Sequence, residues 1–394
     1  MNSTKRGRRT RRIAVITGTR ADYGLLRSTM EAIRKQENLR LQVVATGMHL
    51  LRKFGHTVDE IVRDEWHINA RVKMQTGDDG PLDQAAGLSR GVLGIAKFLE
   101  QARTDIVVVL GDRIEAMAGA LASVTTGRLV GHIHGGDIAP GDFDDSLRHA
   151  ITKLAHVHLT ATQAARQRII RMGESVDRVH WVGAPGLDRL MRLAGEAKGA
   201  RKRTGHALIL HHPIGRKPAT ERRVMNAILK AVEEIRLTRT IVYPNSDRGH
   251  TGIVEAIEAH CRRVGNGSIQ VVRSLDRDRY LRMLLGADVL VGNSSSGIVE
   301  AAGAGTPSVN IGPRQHGRER NGRCVVDADE SLASIRGALQ KALRKRPIIG
   351  RATVYGDGQA GTRIAQILAK LPLDEHFRRK VNTLLPVGQP NLIR

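Results

Sequence analysis

The stretch that decides the fold is VGNSSSGIVE, Val291–Glu300. It follows an apolar run at 287–291 that predicts a buried parallel strand, and it precedes a small-residue segment at 298–304 that predicts a helix. A strand, a turn rich in glycine and serine and a helix start favour phosphate binding, because the first N–H groups of a helix have no partners within it. Glu300, one turn into that helix, is placed to accept hydrogen bonds from sugar hydroxyls. An ordinary serine N-cap on a structural helix explains this stretch equally well when it is taken alone.

Runs of strand-forming residues alternate with helical patterns on both sides of this stretch. The strands predicted before it are 12–18, 41–46, 105–110, 128–133, 157–161 and 179–183. A segment at 192–205 is rich in Gly, Ala, Lys and Arg, and the strands predicted after it are 207–210, 240–243, 269–272, 288–291, 308–311 and 324–326. This alternation predicts an α/β fold with two Rossmann-like domains that face each other across a cleft. Polar clusters follow the strand ends, which is where open α/β sheets bind ligands.

The length of 394 residues also favours two domains, because a single hydrophobic core rarely grows that large. We predict a disordered basic arm at 1–11, because these residues are polar and like-charged. The further limits that we predict are an N-terminal Rossmann-like domain at 12–191, a linker at 192–205, a C-terminal Rossmann-like domain at 206–360, and a C-terminal helix and tail at 361–394.

The composition excludes several classes of protein. No apolar run approaches the roughly 18 residues that a membrane span needs, and no signal-peptide core follows the basic start. We therefore expect a cytoplasmic protein with no membrane partner. Two cysteines cannot build a disulfide framework or a cysteine-rich zinc site. We predict no metal and no other cofactor.

The formal net charge of +24 raises nucleic-acid binding as an alternative, because a basic surface attracts phosphate whatever the sequence. The arginines are spread over many predicted helices rather than concentrated in one block. Aromatic residues make up only 3% of the chain, which leaves few platforms for stacking on bases. We therefore expect an anionic small-molecule substrate and no nucleic acid.

Three polar clusters follow predicted strands of the N-terminal half. Arg20 can place a guanidinium beside a diphosphate, although it can equally be a surface arginine. Asp112 lies beside Arg113 at the predicted sheet edge, unless it is a solvated turn residue. The third cluster contains His132, His134, Asp137, Asp142, Asp144 and Asp145. Metal binding and helix capping are alternatives for this cluster, whereas two carboxylates with a histidine suit proton transfer at carbon.

Six short motifs occur in order along the chain. They are TGTRADYG (17–24), LGDR (110–113), DDSLRHAITK (144–153), GNSSSG (292–297), GTP (305–307) and RQHGRE (314–319). As a set they closely resemble the hydrolysing UDP-N-acetylglucosamine 2-epimerases, over about residues 12–370. The resemblance implies a fold like that of the B-type nucleotide-sugar glycosyltransferases, with UDP against the C-terminal domain.

Motif matching with that family also implies roles for individual residues. Ser294 and Ser295 would hold the diphosphate, and Glu300 would hold the ribose hydroxyls. The further positions implied for nucleotide or sugar binding are Arg20, Arg113, His212, Asn245 and Arg314. Asp112 and Asp144 match acid/base carboxylates of the family.

The family reaction begins with loss of the proton at C-2 and departure of UDP from C-1, and water then adds to the resulting glycal. The resemblance therefore predicts conversion of UDP-N-acetylglucosamine and water to N-acetylmannosamine and UDP, for the synthesis of sialic or related acids. We expect the enzyme to be a homo-oligomer. Alternatives are a non-hydrolysing epimerase, a glycosyltransferase and a nucleotide-sugar-binding protein without turnover.

One departure from the family pattern concerns the third cluster. His134 occupies a position where many relatives carry a catalytic glutamate, in the segment HIHGGD (132–137). A histidine can also transfer protons near neutral pH, so we predict a catalytic role for His134. Similar loops with histidine resemble those of relatives that act on 2,4-diacetamido-6-deoxy sugars, which makes such a UDP-sugar an alternative substrate.

Overall fold

The structure is a computed structural model that describes residues 9–76, 81–138, 143–196, 204–245, 247–265, 269–273, 275–345 and 349–381. The chain forms two compact units. Unit 1 comprises the described residues of Met1–Asp137, Phe143–Pro185 and Gln359–Arg394, and unit 2 those of Ile138–Asp142 and Gly186–Gly358. The predicted domain limits, 191, 206 and 360, differ from these borders by six, twenty and two residues.

The described residues contain two parallel sheets with helices between their strands. The strands are β1 (Arg11–Thr17), β2 (Leu39–Thr46), β3 (Ile68–Val72), β4 (Ile106–Leu110), β5 (Leu129–Ile133), β6 (Val157–Thr160), β7 (Val179–Trp181), β8 (His206–Leu210), β9 (Thr238–Val242), β10 (Ile269–Val272), β11 (Val289–Gly292), β12 (Ser308–Ile311) and β13 (Val325–Ala328). The predicted α/β class is confirmed.

The α-helices lie between most consecutive strands. They are α1 (Arg20–Lys35), α2 (Val58–Arg63), α3 (Pro81–Gln101), α4 (Ile114–Thr125), α5 (Asp144–Leu154), α6 (Gln163–Arg171), α7 (Gly186–Glu196), α8 (Pro218–Glu234), α9 (His250–Val264), α10 (Arg277–Gly286), α11 (Ser296–Val299), α12 (Leu332–Leu343), α13 (Ala360–Lys370) and α14 (Glu375–Arg378). Among the described residues, no helix combines the length and hydropathy needed to cross a membrane.

Unit 1 contains the seven-stranded sheet, in the order β3-β2-β1-β4-β5-β6-β7. Its central strand β4 reads IVVVL, and side chains on both faces are buried, as expected for a parallel sheet covered by helices. The small residues of α4 let this helix lie close to the sheet, and a Cβ on Gly119 would be 2.9 Å from Val109 Cγ1. The strand order reverses between β1 and β4, so the loops after these two strands flank the usual ligand position of such sheets.

Unit 2 contains the six-stranded sheet, in the order β10-β9-β8-β11-β12-β13. Its core is formed by aliphatic residues of the strands and of α8, α9 and α12. The strand order reverses between β8 and β11. The loops that begin at His211 and Asn293 therefore lie at the corresponding position of this sheet.

The two ends of the described chain both belong to unit 1. Strand β1 begins at Arg11, so this residue, which we placed in the basic arm, is part of the sheet. The Arg11 side chain donates to the Leu368 carbonyl oxygen at 2.9 Å, and Leu368 of α13 lies in the same core as Ile13. Residues 1–8 and 382–394 lie outside the described residues. Of the predicted linker, residues 192–196 form the end of α7.

Candidate active site

The amide of Asn293 joins the two loops at the strand reversal of unit 2. Gly292, just before it, has φ 140°, and a Cβ there would lie 2.0 Å from the Leu210 carbonyl oxygen, so only glycine fits. Asn293 is buried. Its Oδ1 accepts from the His212 N–H at 2.7 Å, and its Nδ2 donates to the His212 carbonyl oxygen at 2.8 Å. One neutral side chain therefore fixes the loop after β8 against the loop after β11.

Three of the predicted binding residues are arranged around Asn293. Its carbonyl oxygen accepts from Arg314 Nη1 at 3.2 Å and from Gln315 Nε2 at 2.9 Å. His212 Nδ1 accepts from the backbone N–H of the exposed Asn245 at 3.1 Å. Burial, with a further contribution from Arg314, lowers the pKa of His212 to about 3, so its ring is neutral. Sequence reasoning did not select Asn293 as a site residue, although it lies inside the GNSSSG motif.

The loop after β11, which was predicted to bind phosphate, differs from its prediction in one respect. The helix predicted at 298–304 is wrong: α11 ends at Val299, and turns follow. The N–H groups of Ala301 and Thr306 each bond five residues back, to Ser296 and Ala301, which breaks the helical ladder. A single turn carries little dipole, because the macrodipole is a sum over aligned peptides. Ser294 and Ser295 are half-buried in this loop, and their role as phosphate donors stays a prediction.

Glu300 is held in a buried polar network. It is 4% exposed and forms an ion pair with Arg277 of α10. Ser296 Oγ donates to Glu300 Oε2 at 2.6 Å and accepts from the Tyr280 hydroxyl. Burial alone would lower the pKa of Arg277, but the Glu300 carboxylate holds it above its ordinary value. Each carboxylate oxygen can accept more than one hydrogen bond, so the ribose role of Glu300 is compatible with this network and stays a prediction.

A buried carboxylate, Glu115, occupies the strand reversal of unit 1. A Cβ on Gly18 or on Gly47 would lie 2.4 Å from its side chain, so these two glycines make room for it. Glu115 accepts from Gln75 Nε2 at 3.0 Å and from Arg113 Nε at 3.4 Å. Sequence reasoning missed Glu115, which lies two residues beyond the GDR motif.

Arg20, predicted to bind the substrate, begins α1 after the first strand. Its Nη2 lies 2.8 Å from Oε1 of Glu60, and its Nε donates to Oε2 of the same carboxylate at 3.1 Å. Asp22 accepts from the N–H groups of Gly18 and Thr19 and so fixes the turn that presents Arg20. Burial raises the pKa of Asp22 to about 6.

Arg148 of α5 connects the predicted acid/base residues. It is 2% exposed and forms an ion pair with Asp112. Its Nε donates to Asp145 Oδ1 and its Nη1 to the His134 carbonyl oxygen, both at 3.3 Å. The sequence motif contained Arg148, but only the fold shows that it joins α5 to the loops that contain Asp112 and His134. Helix α5 begins at Asp144 with Phe143 at the N-cap, so neither Asp144 nor Asp145 has the capping role considered above.

The predicted residues Asp112 and Asp144 lie close enough to Arg113 to affect its pKa. Burial alone would lower the pKa of Arg113, but four carboxylates hold it above its ordinary value. They belong to Glu115, Asp22, Asp144 and Asp112. The structure thus brings Asp112, Asp144 and Arg113 together within unit 1. In the described part of the chain, no group of three or more His, Cys, Asp or Glu side chains could hold a metal ion.

His134 lies in the loop that follows β5. Its φ is 62°, a left-handed conformation that is uncommon for a residue with a side chain. Its Nδ1 lies 3.0 Å from Asp137 Oδ2, and its buried Nε2 has no hydrogen-bond partner among the described residues. Asp142, the other acid of the predicted cluster, lies outside the described residues.

Two Rossmann-like sheets, each with polar loops where its strand order reverses, define a fold like that of the B-type glycosyltransferases. A crystal structure of a Neisseria meningitidis UDP-GlcNAc 2-epimerase bound to UDP-GlcNAc has this fold, with a TM-score of 0.75. That similarity covers 91% of this chain and 100% of the other at 15% identity.

Sequence comparison identifies the family. The family model for UDP-N-acetylglucosamine 2-epimerase matches residues 31–369. A hydrolysing UDP-N,N'-diacetylbacillosamine 2-epimerase of Legionella pneumophila is 35% identical, over 94% of this chain and 99% of that protein. A UDP-N-acetylglucosamine 2-epimerase of Neisseria meningitidis serogroup B is 31% identical, over 84% of this chain and 87% of that protein. The chain therefore belongs to the UDP-N-acetylglucosamine 2-epimerase family.

Proposed function

We propose that this protein is a hydrolysing UDP-sugar 2-epimerase, which releases UDP and a free 2-epimeric sugar. The observation that carries the proposal is the cluster around Arg148, in which Asp112, Asp145 and the His134 loop meet. Carboxylates beside a loop that carries an imidazole are suited to moving protons at a carbon atom. The similarity to the Legionella pneumophila enzyme over nearly the whole of both chains supports the hydrolysing type.

In this reaction a base takes the proton from C-2 of the sugar. The electron pair of that C–H bond forms a C-1=C-2 double bond, while the C-1–O bond breaks and its electron pair leaves with UDP. Water then adds its hydroxyl group to C-1 and a proton is delivered to C-2 on the opposite face. We assign these proton transfers to Asp112, Asp144 and His134, because each is a group that can accept and return a proton.

We assign the nucleotide to the loops of unit 2. Ser294 and Ser295 would donate to the diphosphate, and Arg314 would neutralise part of its charge. Glu300 would accept from the ribose hydroxyls, and Arg277 forms an ion pair with that carboxylate. His212 and Asn245 complete this set of candidate nucleotide or sugar ligands, and Arg20 and Arg113 are the corresponding cations of unit 1.

UDP-N-acetylglucosamine is the first candidate substrate, supported by the family and by the Neisseria meningitidis serogroup B relative. UDP-N,N'-diacetylbacillosamine is the second candidate. The Legionella pneumophila relative that acts on it has the higher identity of the two, 35% against 31%. Either sugar carries the acetamido group at C-2 and the C-2 proton that the reaction requires.

Incubation of the purified protein with each UDP-sugar in deuterated water, followed by NMR of the products, tests the proposal. We expect free UDP together with a free 2-epimeric sugar that carries deuterium at C-2. A deuterated UDP-sugar without UDP release would instead identify a non-hydrolysing epimerase. Absence of both UDP release and C-2 exchange with either substrate would contradict the proposal, and a comparison of kcat/KM between the two assigns the sugar.

A further inference from the structure

The loop from His134 to Asp137 is held rigidly at both ends. The His134 N–H donates to the Leu159 carbonyl oxygen at 3.2 Å, and the His134 carbonyl oxygen accepts from Arg148. The Gly136 carbonyl oxygen accepts from Arg168 of α6. A Cβ on Gly136 would lie 2.5 Å from the Ala165 carbonyl oxygen, so the loop has no room to relax there. The side chain of His134 therefore has a fixed starting point.

The contact with Asp137 defines which ring nitrogen carries the proton. An ionised carboxylate can only accept a hydrogen bond, so Nδ1 of His134 must donate to Oδ2 of Asp137 across their 3.0 Å separation. In the neutral ring the lone pair then lies on Nε2. Nε2 is buried and has no partner among the described residues. Leaving a buried polar atom without a partner costs free energy, which a proton-bearing ligand would recover.

The neighbouring histidine of the same segment cannot take this role. His132 donates from Nε2 to the Gly111 carbonyl oxygen at 2.7 Å, and its Nδ1 accepts from the Thr152 hydroxyl at 3.3 Å. Both of its nitrogens are therefore engaged. Burial lowers the pKa of His132 to about 3, which leaves it a weak base.

A second pair in the same unit provides an internal comparison. His56 and Asp59 also lie three residues apart, their Nδ1 and Oδ2 are also 3.0 Å apart, and His56 also has a positive φ, 48°. The His56 and Asp59 side chains are 45% and 66% exposed, whereas those of His134 and Asp137 are 12% and 6% exposed. Water screens the first pair and can bond its outer nitrogen, so that pair contributes little. Burial is what distinguishes the pair at His134.

We propose that His134 and Asp137 act as a dyad, in which Nε2 of His134 takes the C-2 proton and Asp137 is the positioning residue. The proton moves from C-2 to Nε2, the C–H electron pair enters the new C-1=C-2 bond, and the C-1–O pair leaves with UDP. Asp137 holds the ring in the required tautomer and stabilises the imidazolium beside the charge of Arg148. This inference rests on the proposed function and assigns a role to the histidine that replaces the glutamate of many relatives.

Substitution Asp137→Asn tests the dyad. The asparagine amide can donate to Nδ1 and so favour the opposite tautomer; in the serine-protease example, the same substitution lowers kcat about 10⁴-fold. We expect a loss in kcat of at least ~10²-fold with an unchanged KM and an unchanged Kd for UDP, because only the proton transfer is affected. Asp59→Asn, in the exposed pair, is the matched control and should leave all three values unchanged.

A double-variant cycle separates positioning from a structural role. In a His134→Gln background, Asp137→Asn should cause no further loss, because Asp137 acts through His134. A further loss as large as that of the single variant would overturn the proposal, and so would a kcat within threefold of wild type for folded Asp137→Asn.

The nitrogen-15 NMR spectrum of the imidazole rings, with His134→Gln for assignment, provides a test that needs neither turnover nor an Asp137 variant. In the wild-type protein we expect the neutral His134 ring to carry its proton on Nδ1. A proton on Nε2 would overturn the dyad whatever the activity. If the wild-type protein released no UDP from either sugar, the proposed function would fail, while the NMR result would still decide the arrangement of the dyad.

Discussion

The strand order reverses once in each sheet, between β1 and β4 in unit 1 and between β8 and β11 in unit 2, and these two strand reversals contain different polar groups. In unit 1 the buried carboxylate of Glu115 lies between the loops after β1 and β4. Its side chain packs against Gly18 and accepts a hydrogen bond from Arg113. In unit 2 the loops after β8 and β11 are joined by a buried amide, Asn293, which bonds to both backbone groups of His212. The topology at the two places is the same, and the polar groups differ.

The difference follows from what each place would have to do. A carboxylate favours the charged form of neighbouring guanidinium groups. Its negative charge also shifts the pKa values of nearby groups that exchange protons. An amide provides one donor and one acceptor without net charge, so it can order two loops without repelling a diphosphate. Charged residues at one reversal and a neutral residue at the other therefore match the division of roles that we propose between the units.

The largest effect is expected from removal of the charges in unit 1. Asp112→Asn and Asp144→Asn keep the shape of each side chain but cannot accept a proton, so each should lower kcat by at least ~10²-fold while UDP binding is retained. The measurement is UDP release at saturating substrate. Near-normal turnover in both folded variants would remove these carboxylates from the mechanism.

The Asp112 variant needs a stability control. Its loss of charge weakens the ion pair with the buried Arg148, which should also lower the free energy of unfolding. Asp144→Asn does not break that pair, so a shared loss of kcat with unequal losses of stability would assign the kinetic effect to proton transfer. His134→Ala should also lower kcat, and His134→Glu should restore part of the loss.

In unit 2 the corresponding change is Glu300→Ala. A hydrogen bond to a charged group is worth about 1.5–3 kcal/mol, so UDP affinity should fall by roughly ten- to a hundred-fold. Calorimetry with UDP and with its 2',3'-dideoxy counterpart provides the measurement, and the variant should lose the preference for UDP. Arg277→Met, which keeps the carboxylate, is the control for the broken ion pair. Unchanged UDP affinity in folded Glu300→Ala would contradict the ribose role.

Asn293→Asp makes the reversal of unit 2 resemble that of unit 1. The carboxylate can still accept from the His212 N–H, but it loses the donor to the His212 carbonyl oxygen. We expect a loss of about 1–3 kcal/mol in the free energy of unfolding, because the His212 carbonyl oxygen loses its donor and faces a carboxylate. UDP binding, measured on the folded protein, should weaken as well. Wild-type stability together with wild-type UDP affinity would show that the neutral amide is not required.

A histidine lies buried near each reversal, and the two differ in their partners. His49 contacts the Thr17 and Thr57 hydroxyls, whereas neither nitrogen of His211 has a partner among the described residues. Burial lowers the pKa of His49 to about 4 and that of His211 to about 3. The unfolded chain takes up protons near pH 6.5, so each group favours folding above that pH, and this contribution is lost as the pH falls toward the folded value.

His211→Leu should therefore reduce the acid sensitivity of the fold. We expect the slope of unfolding free energy against pH to decrease by up to ~1.4 kcal/mol per pH unit between about pH 6 and pH 4. Denaturant titrations at several pH values measure this slope. An identical slope in His211→Leu would be evidence against a neutral His211.

The smallest effect is expected at the start of the chain, away from both reversals. Residues 1–8 contain no apolar pattern to pack, so their deletion should leave the Tm and kcat nearly unchanged. Deletion of 1–11 also removes the first residue of β1 and the Arg11 contact with α13, so it should lower the Tm. Equal Tm values for the two deletions would show that Arg11 contributes nothing to unit 1.

Local patterns in the sequence determined twelve of the thirteen described strands, the α/β class and the polar loops at strand ends, whereas β3 (Ile68–Val72) was not predicted. Apolar runs such as 106–110 can only be buried strands at that length, and glycine-rich turns after them mark the loops. The short motifs of the chain also determined the family. These features depend on residues close together in the chain, so they can be read without a structure. The α11 prediction failed because bonds to residues five positions back compete with the helical ladder there, and sequence periodicity does not report them.

Only the tertiary structure decided which distant residues act on one another. Arg148 meets Asp112 across 36 positions of the chain, and Asn293 meets His212 across 81. The place of Glu115 beneath Gly18 likewise depends on the pairing of β1 with β4. No local pattern encodes such contacts, because they arise when crossovers bring separate strand ends to one edge of a sheet. The burial that distinguishes His134 from His56 arises in the same way, since it depends on the surrounding elements and not on the three-residue spacing that both pairs share.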